Sequence, residues 1–335
     1  MCIYDKPFKT YEEQIKKLKE EYKLNITDDA LAKNLLSTVS YYDLINGYKE
    51  CFMTDNEFHK GISIEYLFAF CVYDKNFQNI LLKYSIYVEN IFKTKLAHII
   101  AKYFGVSEKN YLKEENYEIS FEKKKKFREV SKNIVKILNH PKTDDPTKYY
   151  RENHNHIPPW ILLKNVYFND AIDLYSFLPR ALKEKIVKEY YQHEDFKKSE
   201  DLELFTSMIT IVRKFRNKIA HNAKVITYKC TGNAEIHLKN YKKIAINNFL
   251  TDMDIKYGKG KRDLFSMILS LIILLNNPSL IVSLINELKL ALESSPELTD
   301  TFVKISGLPP KLNKRLEYLH KYLFEKTIYA NRDKL

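Results

Sequence analysis

Arg216, Asn217 and His221 are the residues of this chain best suited to chemistry. They form an R-N-x-x-x-H pattern within Phe215-Arg216-Asn217-Lys218-Ile219-Ala220-His221-Asn222, at the end of a long amphipathic run. Arginine is scarce, eight against 47 lysines, so Arg213 and Arg216 stand out. An imidazole whose ordinary pKa is roughly 6.5 can take or give a proton at neutral pH. A guanidinium stays charged and holds phosphorane oxygens in a fork. Together they are a minimal kit for cleaving an RNA phosphodiester through its own 2′-hydroxyl, a reaction closed to DNA. Asn217 would orient the imidazole or the phosphate. This chemistry needs no metal and no cofactor, and the sequence shows no clear acidic cluster to hold Mg²⁺. The spacing R-x4-H also arises by chance. Basic residues in a last helical turn favour the macrodipole, and Arg213, Lys214, Arg216, Lys218 and His221 fit that reading too.

The element that must carry the motif is a helix over 201–222. Phe205, Met208, Val212, Phe215 and Ile219 step by three and four, a buried seam. At ~100° per residue, Asn217 and His221 share a face, whereas Arg216 lies ~140° from His221. One helix therefore does not bring guanidinium and imidazole over one phosphate. They converge more easily at a helix end, or if two copies of the helix face each other across a cleft, and that demand argues for a homodimer. A second long helical stretch covers 64–104, with Val88, Phe92, Leu96, Ile99 and Tyr103 as its stripe and Gly105 as its C-cap. Glu89 flanks that stripe and is spaced for a surface ion pair with Lys93.

The remaining elements read as helical. Thr10-Tyr11-Glu12-Glu13 is a capping box, followed by Ile15, Leu18 and Tyr22 on one face. Thr27-Asp28-Asp29 caps a second helix with Leu31, Leu35 and Leu36 inward. Gly47 reads as a turn that only glycine enters cheaply. This N-terminal helical region, 1–60, is too small to bury a core alone and should pack on the helical domain 61–335. That domain carries a polar, basic insertion around 107–158. There Lys123, Lys124, Lys125, Lys126 and Arg128 can neutralise phosphates, and Tyr111, Tyr117, Phe121 and Phe127 can stack on bases. A solvated helix face explains the same residues. Arg213, Lys218 and Lys224 extend the candidate RNA-binding set. Pro158-Pro159 starts a helix in which Trp160 is expected to anchor the core. A break at Pro179 divides 169–191. Residues 224–230 and 234–238, around Thr231-Gly232-Asn233, read as a small β-hairpin following the motif helix. Apolar helices over 263–276 and 279–292 and a basic helix over 309–329 complete an all-α chain.

Bulk properties agree. Seven glycines and ten prolines in 335 residues favour helix. A net charge of +12 suggests a polyanion, although a lysine-rich vocabulary has the same effect. The longest apolar piece, 267–275, is too short for a membrane span, and 1–7 holds no signal-peptide core, so the expectation is a cytoplasmic protein without membrane contact. Cys2, Cys51, Cys71 and Cys230 are scattered, unlike a disulfide frame or a zinc site. His154-Asn155-His156 is a weak metal signal without a third ligand.

Several stretches, in order, resemble the bacterial abortive-infection (Abi, AbiD/AbiF-type) family. Tyr41-Tyr42-Asp43-Leu44-Ile45-Asn46-Gly47-Tyr48 is similar to its Y-Y-x-L-x-x-G-Y signature. Tyr73-Asp74-Lys75-Asn76-Phe77 and Val88-Glu89-Asn90-Ile91-Phe92-Lys93 are similar to its F-D-x-x-L and I-E-N-x-x-K helices. Pro158-Pro159-Trp160 and Arg216-Asn217-Lys218-Ile219-Ala220-His221-Asn222 resemble P-P-W and R-N-x-x-A-H-N. The resemblance runs from about residue 6 to 228. It implies a HEPN-like helical bundle, a family of ribonucleases that use an R-x4–6-H motif, usually as dimers. By position Arg216 and His221 would be catalytic, Asn217 the polar residue beside the arginine, and Glu89 the acid on the facing helix. The implied function is a metal-independent endoribonuclease of phage defence. The alternative is a non-catalytic RNA-binding protein on the same fold, bound to a small structured non-coding RNA. Asp43 and Ala223 depart from the family pattern and bear on partner recognition rather than on the Arg/His pair.

Overall fold

The computed structural model describes residues 6–191, 198–232, 234–244 and 249–332. The protein is all-α: 71% of it is helical. The helix Ile64–Phe104, 41 residues and ~60 Å long, is its axis. The sequence left one or two helices open here; there is one. Ser63 caps its start and Gly105, at φ +90°, ends it. Against it pack the helices Pro159–Asn165, Pro278–Glu293, Leu264–Leu274 and Lys198–Ala220, the last being the motif helix. The expected seam Phe205, Met208, Val212, Phe215 and Ile219 is buried throughout. It faces the wholly buried helix Leu264–Leu274. The break at Pro179 separates helices Phe168–Phe177 and Arg180–Lys188.

The N-terminal helices Tyr11–Glu20 and Asp29–Val39 begin at the expected caps, Thr10 with its reciprocal Glu13 bond and Asp28. The chain then makes a π-turn over Tyr42–Asn46 and a short helix Gly47–Phe52. Asn25 brackets the start of the long helix: its N–H donates to Ile62 and its carbonyl accepts from Ile64. Phe52, Tyr66 and Phe70 pack ring to ring, and Phe70 reaches Phe302 of the helix Pro296–Ser306.

Several expectations are corrected. The one hairpin among the described residues is Met53–Thr54 with Glu57–Phe58, ahead of the long helix rather than after the motif helix. Described residues in 224–238 form no strand. Their Val225, Ile226, Cys230, Ala234 and Ile236 are buried; Tyr228 donates a local turn bond to the Val225 carbonyl, and Cys230 and Ile236 donate to the Arg262 and Lys261 carbonyls. A loop pinned on a core alternates apolar and polar residues just as a strand does. Gly47 is helical (φ −59°, ψ −38°), because the π-turn runs straight into the next helix. Trp160 is 48% exposed: Pro159, Leu162 and Leu163 take the inward face of its helix. Leu31 and Tyr103 also face outward, Ala32 taking the inward place beside Leu35 and Leu36.

Candidate active site

The long helix and the motif helix meet through charge. Glu89 accepts a 2.6 Å bond from Lys93 one turn along its own helix. These are not the surface partners that the sequence suggests, since their side chains are only 12% and 10% exposed. The other carboxylate oxygen of Glu89 lies 3.5 Å from Arg216 Nη2 on the facing helix. Arg216 Nη1 donates to Asn217 Oδ1 at 3.2 Å, while its Nε is buried without a partner. The guanidinium is thus held from two sides and keeps unspent donor capacity. Asn217 contacts the guanidinium and not the imidazole. The structure therefore brings Glu89, Lys93, Arg216 and Asn217 together.

His221 stands apart, exposed at the helix end, and its ring has no hydrogen-bond partner among the described residues. The helix terminates here in a Schellman motif. Asn222 takes the left-handed conformation at φ +56° and its N–H bonds the Ile219 carbonyl, while the Ala223 N–H bonds that of Lys218. Asparagine tolerates that conformation better than most residues, which explains Asn222. Only the backbone of Ala223 is used, so its departure from the family pattern costs this turn nothing.

A second network fixes the same helix end. Lys75 donates a 3.0 Å bond to the carbonyl of Asn222, the left-handed residue just beyond the helix. Its neighbour Asp74, fully buried, accepts 2.8 Å bonds from Tyr48 and Gln78. Burial pushes the Asp74 carboxyl above its usual range, against the lowering bonds from Gln78 and Tyr48 and the charge of Lys75. The hydroxyl of Tyr48 is raised by burial and by that carboxylate. Tyr48, Asp74, Lys75 and Asn222 were visible only as isolated signature residues; nothing in their spacing shows that they join. The available signal was a carboxylate inside an apolar helical stretch.

The candidate RNA-contacting cations divide. Lys218 lies over the Tyr228 ring at 4.5 Å, and Lys224 pairs with Glu50 at 3.1 Å. Lys126 bonds Asp173, and Lys124 lies 3.9 Å from Glu114. Lys123, Lys125 and Arg128 are exposed with no ion pair among the described residues, and Arg213 is half-buried. Of the aromatic rings considered for stacking, Tyr111, Tyr117 and Phe127 are buried, Tyr117 and Phe127 in contact at 5.4 Å. Only Phe121 is exposed. The described residues contain no cluster of metal ligands and no helix long and apolar enough to cross a membrane.

The fold is thus all-α and built on one long helix, and it joins Glu89, Lys93 and Arg216 in a part-buried contact while the exposed His221 ring stands apart at the end of the motif helix. The family model for Abi-like proteins matches residues 34–227, more than half of the chain, and the chain belongs to that family. No curated protein and no solved structure matches it significantly. The matched span includes every residue of the two networks, from Tyr48 to Asn222.

Proposed function

We propose that the protein is a HEPN-type endoribonuclease of a phage-defence, abortive-infection system, a role suggested by its family. The observation that carries the reading is the exposed His221 ring one turn beyond a guanidinium held by Glu89 and Asn217. His221 takes the proton from the 2′-hydroxyl or gives one to the 5′-oxygen. Arg216 stabilises the charge that develops on the phosphorane, its orientation set before substrate arrives. Because an ideal helix sets Arg216 and His221 ~140° apart and the structure shows no contact between them, the reading takes two copies, each supplying the residue that the other misplaces. No step requires a metal.

Incubation of the purified protein with RNA in EDTA should give 2′,3′-cyclic phosphate ends, and His221→Ala should abolish them. Equal cleavage by the variant would refute the assignment. The same separation of Arg216 and His221 favours a second reading, a non-catalytic protein bound to a small structured RNA. That reading requires tight, salt-sensitive binding without cleavage, indifferent to His221→Ala.

A further inference from the structure

The helix Lys124–Asn139 lies one layer out from the motif helix: it packs on Phe168–Phe177, which in turn touches the motif helix. Its inward face is Phe127, Val130, Ile134 and Leu138, all buried. At ~100° per residue, the opposite face carries Lys125, Arg128, Lys132 and Lys136 within an arc of ~80°, and Phe121, in the 3-10 turn just ahead of the helix, lines the same groove as Lys125, Arg128 and Lys132. The four cations rise over ~17 Å, about 5 Å between neighbours. None has an ion pair among the described residues, and Glu129 is the one acid lining both open grooves along this face, about 470 and 700 Å³. Phe121 is 92% exposed. What marks this ring among the exposed aromatics is its place in a groove with Lys125, Arg128 and Lys132, where its face is open to stack.

We infer that this face is a second RNA site, which binds single-stranded RNA by stacking an unpaired base on Phe121 while Lys125, Arg128, Lys132 and Lys136 follow the phosphates. The inference rests on the reading of RNA as substrate given above. An unpaired base is required because a duplex hides the faces that a lone ring could stack on. A membrane surface does not fit, because the apolar face of this helix is spent on the core. The site keeps Lys125 and Arg128 of the cluster named from the sequence and adds Lys132 and Lys136; it leaves out Lys123, Lys124, which lies 3.9 Å from Glu114, and Lys126, which is tied to Asp173.

The test measures binding of a labelled oligouridylate, long enough to span the face, to the full chain carrying His221→Ala, across a salt series. Phe121→Ala should weaken single-strand binding roughly tenfold and duplex binding little. Arg128→Ala with Lys132→Ala should reduce the log–log salt slope by about 1.4. Unchanged affinity and slope would overturn the inference. So would displacement of the oligonucleotide by polyglutamate at equal charge with no effect of Phe121→Ala, which would mark an acidic protein as the ligand. Cleavage by the otherwise wild-type chain in EDTA is read separately. Binding effects without any cleavage leave this site standing and refute the ribonuclease; cleavage without binding effects does the reverse.

Discussion

The contact between Glu89, Lys93 and Arg216 permits stability and chemistry to be separated. Glu89→Met leaves the Lys93 ammonium, 10% exposed, without its 2.6 Å partner. Breaking a buried pair by removing one member costs about 3–5 kcal/mol, chiefly because the other charge stays buried. The small residual exposure of both side chains puts the expected loss near the lower end, about 3 kcal/mol. For a chain of 335 residues that corresponds to a fall in Tm of about 4 °C. Adding Lys93→Met removes the stranded charge and replaces the pair by apolar groups of similar volume, an exchange that is often neutral. The double variant should therefore recover to within ~1 kcal/mol of the parent by denaturant or thermal unfolding. Cleavage should not recover. Arg216 has then lost the carboxylate 3.5 Å from Nη2, and a guanidinium misplaced by ~1 Å costs on the order of 100-fold. A double variant that cuts RNA at the parental rate would refute the claim that Glu89 orients Arg216. A single variant as stable as the parent would refute the account of the buried pair.

Three further outcomes follow from the second network and its surroundings. Lys75→Met should lower kcat more than it raises KM, with at most ~1 kcal/mol lost in stability because the bond to Asn222 is exposed; Lys75→Arg should restore kcat if the bond positions His221. The raised Asp74 carboxyl predicts a pH dependence. A folded pKa above the unfolded one contributes stability that is fully present below the unfolded value and lost as pH rises through the folded one. Asp74 should therefore contribute a decline in unfolding free energy from acid toward neutral pH, by ~1.4 kcal/mol per unit of elevation, and Asp74→Asn should remove that contribution; an identical profile in the variant would refute it. Gly47→Ala should stabilise by about 0.5–1 kcal/mol in urea unfolding, since the backbone is helical and the nearest atom to an added Cβ is the Tyr42 carbonyl at 3.9 Å; a loss would show that the glycine has a role outside the folded chain's own packing.

What the sequence revealed and what it hid divide along physical lines. Periodicity reports which face of a helix is buried, so the seam from Phe205 to Ile219 and the apolar run at 267–275 were legible. Local caps were legible too, because Thr10 with Glu13 and Asp28 with Ala30 and Leu31 complete their bonds within three residues. Which buried faces meet was not legible. Glu89 and Arg216 are 127 positions apart, and the short-range bond to Lys93 looked sufficient to explain Glu89 by itself. The alternation in 224–238 failed for a related reason, since burial against a neighbouring element has no period of its own.

The same reasoning explains why separate signature pieces recur together in this chain. Tyr48 satisfies Asp74, and Lys75, next along the helix, satisfies the Asn222 carbonyl. Glu89, four turns further on, satisfies Lys93 and holds Arg216. Each member leaves a buried or terminal polar group unpaired if it is lost, and such groups are costly to leave unmade. A substitution in the N-terminal helices can therefore act on the carbonyl next to His221 without touching it. Stability alone would be met more cheaply by apolar residues at Asp74, Glu89 and Lys93. Both networks instead reach the end of the motif helix, at Arg216 and at the Asn222 carbonyl, as the proposed role of Arg216 and His221 requires.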